Sequence, residues 1–178
     1  MSEATTTVAR PQSNAGSDRR GILFLISLVV LILDRITKIA VARALPLGAE
    51  HTVIPKVFWI SHVLNTGAAF SLFGDTASPE RVRWLLVGFS FIAAIIIAIV
   101  LIRIGRRITG TTLGLALILG GAIGNAWDRM RTGAVIDFLE VHIVHYHWPD
   151  FNVADSAICI GACLLLIEML RPQHGAKR

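Results

Sequence analysis

A chain of 178 residues that is 54% hydrophobic, only 16% charged and has a mean hydropathy of +0.65 is too apolar for a soluble domain of its size. With about 20 apolar residues per crossing of a roughly 30 Å hydrocarbon core, about four helices would use close to half of it, in one compact membrane domain. The net charge of +5 is spread over loops and helix ends with no aromatic-interleaved patch, which argues against nucleic acid and leaves anionic lipid headgroups as the simpler partner.

Residues 1–20 open the chain as a polar tail rich in Ser, Thr, Ala and Asn, with a single Val before Asp18, and are expected to be disordered. The first apolar run, Gly21 to Leu33, is interrupted by Asp34, Arg35 and Lys38 within a helix expected to reach about Ala42. A basic pair, a short apolar stretch and Ala40-Val41-Ala42 imitate a cleaved signal peptide, but three intervening charges and the later apolar runs favour a retained helix. Thr52 to Leu64 is rich in β-branched and aromatic residues and predicts short strands. Asn65-Thr66-Gly67 then marks a turn, and Ala68 to Phe73 a short interfacial helix.

The second run, Trp84 to Ile102, has no charge and ends at Arg103, Arg106 and Arg107. The third, Ile108 to Trp127, contains the GxxxG pairs Gly110/Gly114 and Gly120/Gly124, which permit close helix approach. The fourth, Val153 to Leu170, holds Cys159 and Cys163 at i,i+4, read as small packing residues and not as a disulfide or metal pair. The expected class is an all-α membrane protein, a four-transmembrane-helix bundle (residues 21–170) with a small β-rich extracytoplasmic subdomain between helices one and two (about 44–75). Residues 171–178 form a cytoplasmic tail. Arg19, Arg20, Arg103, Arg106, Arg107, Arg171, Lys177 and Arg178 flank one set of helix ends and place both termini in the cytoplasm, against a minority of Lys56, Arg81, Arg83 and Arg131 outside.

That orientation sends Asp34, Asp128 and Asp155 to the outer face, with Asp137 in the loop between. Ionised side chains in a membrane are kept mainly where they pair, snorkel or serve a site. Bland readings exist for most of them. Asp34 and Lys38 at i,i+4 can neutralise each other, Asp128 can pair with the adjacent Arg129, and Asn152 and Asp155 have N-cap and N3 spacing. Asp137, isolated in the strand-like Ala134 to Leu139, has the weakest such excuse, being costly if unpaired. Two carboxylates about 4 Å apart repel by about 4 kcal/mol at an effective dielectric of 20. One proton is then shared, and one member can act as base while the other acts as acid.

Other chemistries fare worse. His142, His145 and His147 lie at metal-compatible spacings in the outer loop, but loop histidines beside aromatic residues are more often interfacial. The chain has no HExxH, no GxSxG and no Gly-rich phosphate loop, and Ser71 and Ser156 have no evident base.

Five blocks in order resemble the lipoprotein signal peptidase (type II signal peptidase) family: Asp34-Arg35-Ile36-Thr37-Lys38, Asn65 to Phe70, Gly120 to Arg129, Val135-Ile136-Asp137-Phe138, and Phe151-Asn152-Val153-Ala154-Asp155. The resemblance covers nearly everything from Gly21 to Leu170. It implies an enzyme of the bacterial inner membrane that removes signal peptides from diacylglyceryl-modified prolipoproteins, cutting on the amino side of the lipidated cysteine. It implies no metal or organic cofactor, inhibition by globomycin, and a monomer among membrane lipids. The implied catalytic pair is Asp137 and Asp155. Asn65, Asn125, Arg129 and Asn152 are the implied substrate-binding residues, with Asp34, Lys38 and Asp128 in support. The rivals are a non-enzymatic small membrane transporter or assembly factor, which would put more polar residues deep in helices two and three, and an enzyme acting on lipid headgroups at the same interface.

Overall fold

The computed structural model describes residues 18–67, 78–144 and 146–171. Its elements are α1 (Arg20–Ala44), β1 (Glu50–Ile54), β2 (Phe58–Asn65), α2 (Pro79–Ile104), α3 (Gly110–Thr132), β3 (Val135–Ile143), β4 (Tyr146–Phe151) and α4 (Val153–Leu170). Three of the helices, α2, α3 and α4, are long and apolar enough to cross a membrane. α1 is longer than α4, but Asp34, Arg35 and Lys38 break its apolar run. At 1.5 Å per residue, the 26 residues of α2 extend about 39 Å, more than a hydrocarbon core requires.

α3 is the central helix, packed against α1, α2 and α4. Small residues make this possible. A Cβ on Gly114 would lie 2.7 Å from the Gly161 carbonyl oxygen of α4, and one on Gly120 would lie 2.8 Å from Val30 Cβ of α1. Ser27 Oγ, donating to the Ala116 carbonyl at 2.8 Å, ties α1 to α3 at the same level. Toward the arginine-rich end, Leu23, Ala94, Leu101, Ala116 and Leu119 form the buried apolar core. By contrast α2 leaves Leu85, Phe89, Ile92, Ile95, Ile96 and Ile99 exposed, as a helix facing lipid does.

The sheet departs from expectation. Only half of it lies between the first two helices. β1–β2–β3–β4 is a continuous antiparallel sheet in chain order, and β3 and β4 come from the segment joining α3 to α4. Its register pairs Val63 with Asp137, Asn65 with Val135, and Leu139 with Phe151. Two segments far apart in the chain thus complete each other's backbone hydrogen bonds. The interfacial helix expected at Ala68 to Phe73 and the tail before Asp18 lie outside the described residues. Cys159 and Cys163 are free and exposed on α4, so they do not pack between helices as expected. Glycine and alanine fill that contact instead.

Candidate active site

α3 ends on a left-handed Gly133 whose N–H bonds the Arg129 carbonyl, and β3 begins two residues later. This tight exit delivers Asp137 to the end of the bundle where α4 starts. α4 itself starts with a capping box. Asn152 Oδ1 accepts from the Asp155 N–H at 3.0 Å, and Asp155 Oδ2 accepts from the Asn152 N–H at 3.2 Å. The local reading of Asn152 and Asp155 is therefore correct. It is also incomplete, because each has polar atoms left for other partners.

Those atoms build one network. Asn152 Nδ2 donates to Asp137 Oδ1 at 2.7 Å, and Asn65 Nδ2 donates to Asp137 Oδ2 at 2.9 Å. Asn125 Nδ2 donates to Asp155 Oδ1 at 2.7 Å, while its Oδ1 accepts from Asn152 at 3.3 Å and from Lys38 Nζ at 3.1 Å. Asn65 is held for its task by its own oxygen, which accepts the Gly67 N–H at 2.8 Å. Each of the two carboxylates is thus fixed by asparagine amides, and Asn152 touches both residues.

Asp137 is 2% exposed. Burial pushes its pKa up to about 6. The Asn65 and Asn152 hydrogen bonds pull it down, and the charge of Asp155 adds to the rise. The two acids therefore feel each other, and this one holds a proton well into the range where a free aspartate has lost it.

Below this pair lies a buried ion cluster. Lys38 Nζ sits 2.8 Å from Asp34 Oδ2 and 2.7 Å from Asp128 Oδ2, and Lys38 and Asp34 have no exposed surface. The ammonium donates to Asp34 Oδ2 and to Asn125 Oδ1 and stands in ion-pair contact with Asp128. Asp34 Oδ1 also accepts the Ala154 N–H at 3.0 Å, so a residue of α1 helps cap α4. The pairing expected between Asp128 and Arg129 is not the one formed. Asp128 turns to Arg35 and Lys38 of α1, because α3 packs on α1 along that face. Arg129 instead keeps a buried Nε with no hydrogen-bond partner among the described residues, within the field of Asp155, Asp137 and Asp128. An apolar groove of about 370 Å³ opens beside the pair, lined by Trp148, Phe151, Asp155, Ser156, Cys159 and Ile160.

All nine residues singled out by sequence lie in or against this network. Glu140, which no motif marks, is buried on β3 in contact with His142 and His147. Its only sequence signal is the i,i+2 spacing to His142. His145 lies outside the described residues.

Comparison with known proteins finds relatives over most of the chain. The profile of the signal peptidase (SPase) II family matches residues 26–171. The lipoprotein signal peptidase of Paraburkholderia phymatum is 43% identical over 152 residues, covering 85% of this chain and 89% of the relative. That of Burkholderia mallei is similar to the same extent. A bacterial membrane enzyme solved by the in meso method at 1.9 Å resolution superposes with a TM-score of 0.78 at 30% identity, covering 89% of this chain and 99% of that one. A second such structure, at 2.3 Å resolution, gives a TM-score of 0.77 at 29% identity, with 89% and 94% coverage.

Proposed function

This chain belongs to the signal peptidase II family, and from that premise we propose that it cleaves as an aspartic endopeptidase through Asp137 and Asp155. It is a bacterial membrane protease that removes signal peptides from prolipoproteins. The finer reading is a chain crossing the membrane with all four helices and both termini in the cytoplasm. Its sheet and active site then stand at the outer face, where the cut falls on the amino side of a diacylglyceryl-modified cysteine.

The observation that carries the aspartic reading is the asparagine-bridged pair, two acids from different segments joined through Asn152, with Asp137 raised to about 6. In the proposed reaction Asp155 takes a proton from water as the water oxygen bonds to the scissile carbonyl carbon. Asp137 gives its proton to the carbonyl oxygen. As the intermediate collapses and the C–N bond breaks, Asp137 recovers that proton and Asp155 passes its own to the departing cysteine nitrogen. Arg129 Nε, without a partner among the described residues, supplies a donor for the substrate backbone near that cysteine, together with Asn125 one turn away. Because α2 and α4 present apolar surface to lipid, the acyl chains of the substrate need not leave the bilayer. The groove beside Asp155 accepts the apolar flank of the signal sequence.

The test is incubation of the detergent-solubilised protein with a diacylglyceryl-modified prolipoprotein, with and without globomycin, alongside Asp137→Asn and Asp155→Asn. Cleavage by the native chain that globomycin blocks, and that either substitution lowers by at least about 100-fold, is expected. Turnover by either variant near the native rate would remove the aspartic assignment. No cleavage by the native chain would favour a transporter or assembly factor.

A further inference from the structure

The hairpin of β3 and β4 carries a second cluster of polar side chains, set apart from the carboxylate pair. Side chains alternate along a strand, so Glu140 and His142 share one face of β3, opposite to Asp137. Across the strand pair, His142 lies opposite His147. The three converge: His142 Nε2 is 2.8 Å and His147 Nε2 is 3.2 Å from the same atom, Glu140 Oε1, and the three ligand atoms lie within 4.8 Å of one another. Ligands on a tetrahedral zinc ion with bonds of about 2.0–2.1 Å stand about 3.3 Å apart. Two edges of such a tetrahedron are thus already in place.

A fourth donor is near. Asp150 Oδ1 lies 3.9 Å from His147 Nε2, is buried, and has no hydrogen-bond partner among the described residues. The rings are held in position. Trp59 packs on His142 with centroids 4.4 Å apart, and His147 meets His142 edge-on at 4.5 Å. The His147 side chain is 54% exposed and His142 34%, which leaves an ion a path from water.

We propose that Glu140, His142 and His147, with Asp150 as fourth ligand, bind a divalent transition-metal ion of the zinc type. Two imidazoles and two carboxylates suit zinc better than calcium or magnesium, which prefer oxygen alone. The ion cross-links β3 to β4 and takes no part in cleavage. It steadies a hairpin whose turn holds Val144 at φ 58°, in the left-handed region that a β-branched residue rarely adopts. β4 runs directly into Phe151 and the Asn152 cap of α4, so the cross-link also fixes the strand that leads to the carboxylate pair.

The full-length chain, purified in detergent without a polyhistidine tag and stripped with a chelator, would be titrated with zinc chloride against a chromophoric chelator. Thermal midpoints would be recorded with zinc, with calcium and with neither. The expected result is saturable binding of about one zinc per chain and a rise in midpoint with zinc but not calcium. Glu140→Gln should weaken binding at least tenfold, and the double variant His142→Ala/His147→Ala should lose both effects. That double variant alters only partly exposed rings away from the carboxylate pair, and its retained prolipoprotein cleavage would show that it folds. Absence of saturable binding by the native chain, or equal binding by the double variant, would overturn the site.

Discussion

Asp137→Asn should do more than abolish cleavage: it should reverse the order of stability between variant and native protein as pH changes. Burial lifts the Asp137 pKa from the ordinary 3.8 to about 6, so keeping it ionised costs the fold about 3 kcal/mol above that pH. The sign follows from proton binding. Between pH 4 and 6 the folded protein holds the proton that the unfolded chain has released, so native stability falls as pH rises through this window and stays low above it. Asparagine carries no such penalty, but it has one oxygen where the carboxyl group, protonated or not, keeps acceptor capacity on two. Asn65 and Asn152 both donate to this side chain, and Asn65 is kept from turning by its bond to Gly67, so one donor is left facing another. That costs about 1 kcal/mol or somewhat more. Asp137→Asn should therefore be less stable than the native chain by about 1 kcal/mol at pH 4 and more stable by about 1–2 kcal/mol at pH 7.5. Unfolding midpoints of the detergent-solubilised proteins from pH 4 to 8, followed by tryptophan fluorescence, would test this. Two parallel profiles that never cross would refute the reasoning, because the buried carboxyl would then carry no penalty to relieve.

Lys38→Met should be among the most destabilising single changes, by about 3–5 kcal/mol. It leaves the buried Asp34 without a cation beside Asp128, which keeps only Arg35, and an unchanged midpoint would contradict the ion cluster. Gly114→Val should destabilise by about 1–3 kcal/mol through its clash with Gly161 of α4. Gly88→Ala on α2, where an added methyl meets nothing within 4 Å, should stabilise by up to about 1 kcal/mol. The opposite signs are readable in one set of thermal midpoints. Arg129→Ala should raise KM for a lipidated peptide substrate and scarcely alter the midpoint, since its Nε has no partner to lose among the described residues. An unchanged KM would tell against its role in binding substrate.

Local sequence was a sound guide wherever the physics is local. Apolar runs located α2, α3 and α4, because burying backbone polar groups in lipid forces a helix of definite length. The i,i+4 spacing anticipated the Asp34–Lys38 pair, and the N-cap and N3 spacing anticipated the start of α4. Sequence misjudged Asp128, whose neighbour Arg129 lies next to it in the chain but points elsewhere. It also misjudged Cys159 and Cys163, because the polarity of a residue does not say which face of an apolar helix meets lipid.

Composition and spacing by themselves determined that this is a membrane protein with acids gathered at one set of helix ends, and the ordered motifs determined its family. What only the tertiary structure decided is how those acids are used. Asn65 meets Asp137 across 72 residues, Lys38 meets Asn125 across 87, and Asp34 caps Ala154 across 120. The sheet that carries Asp137 is assembled from two separate connections between helices. The physical reason is that a carboxylate's protonation depends on its burial and on the donors around it. Both are supplied here by side chains that only the packing of α1, α3, α4 and the sheet brings within hydrogen-bonding distance.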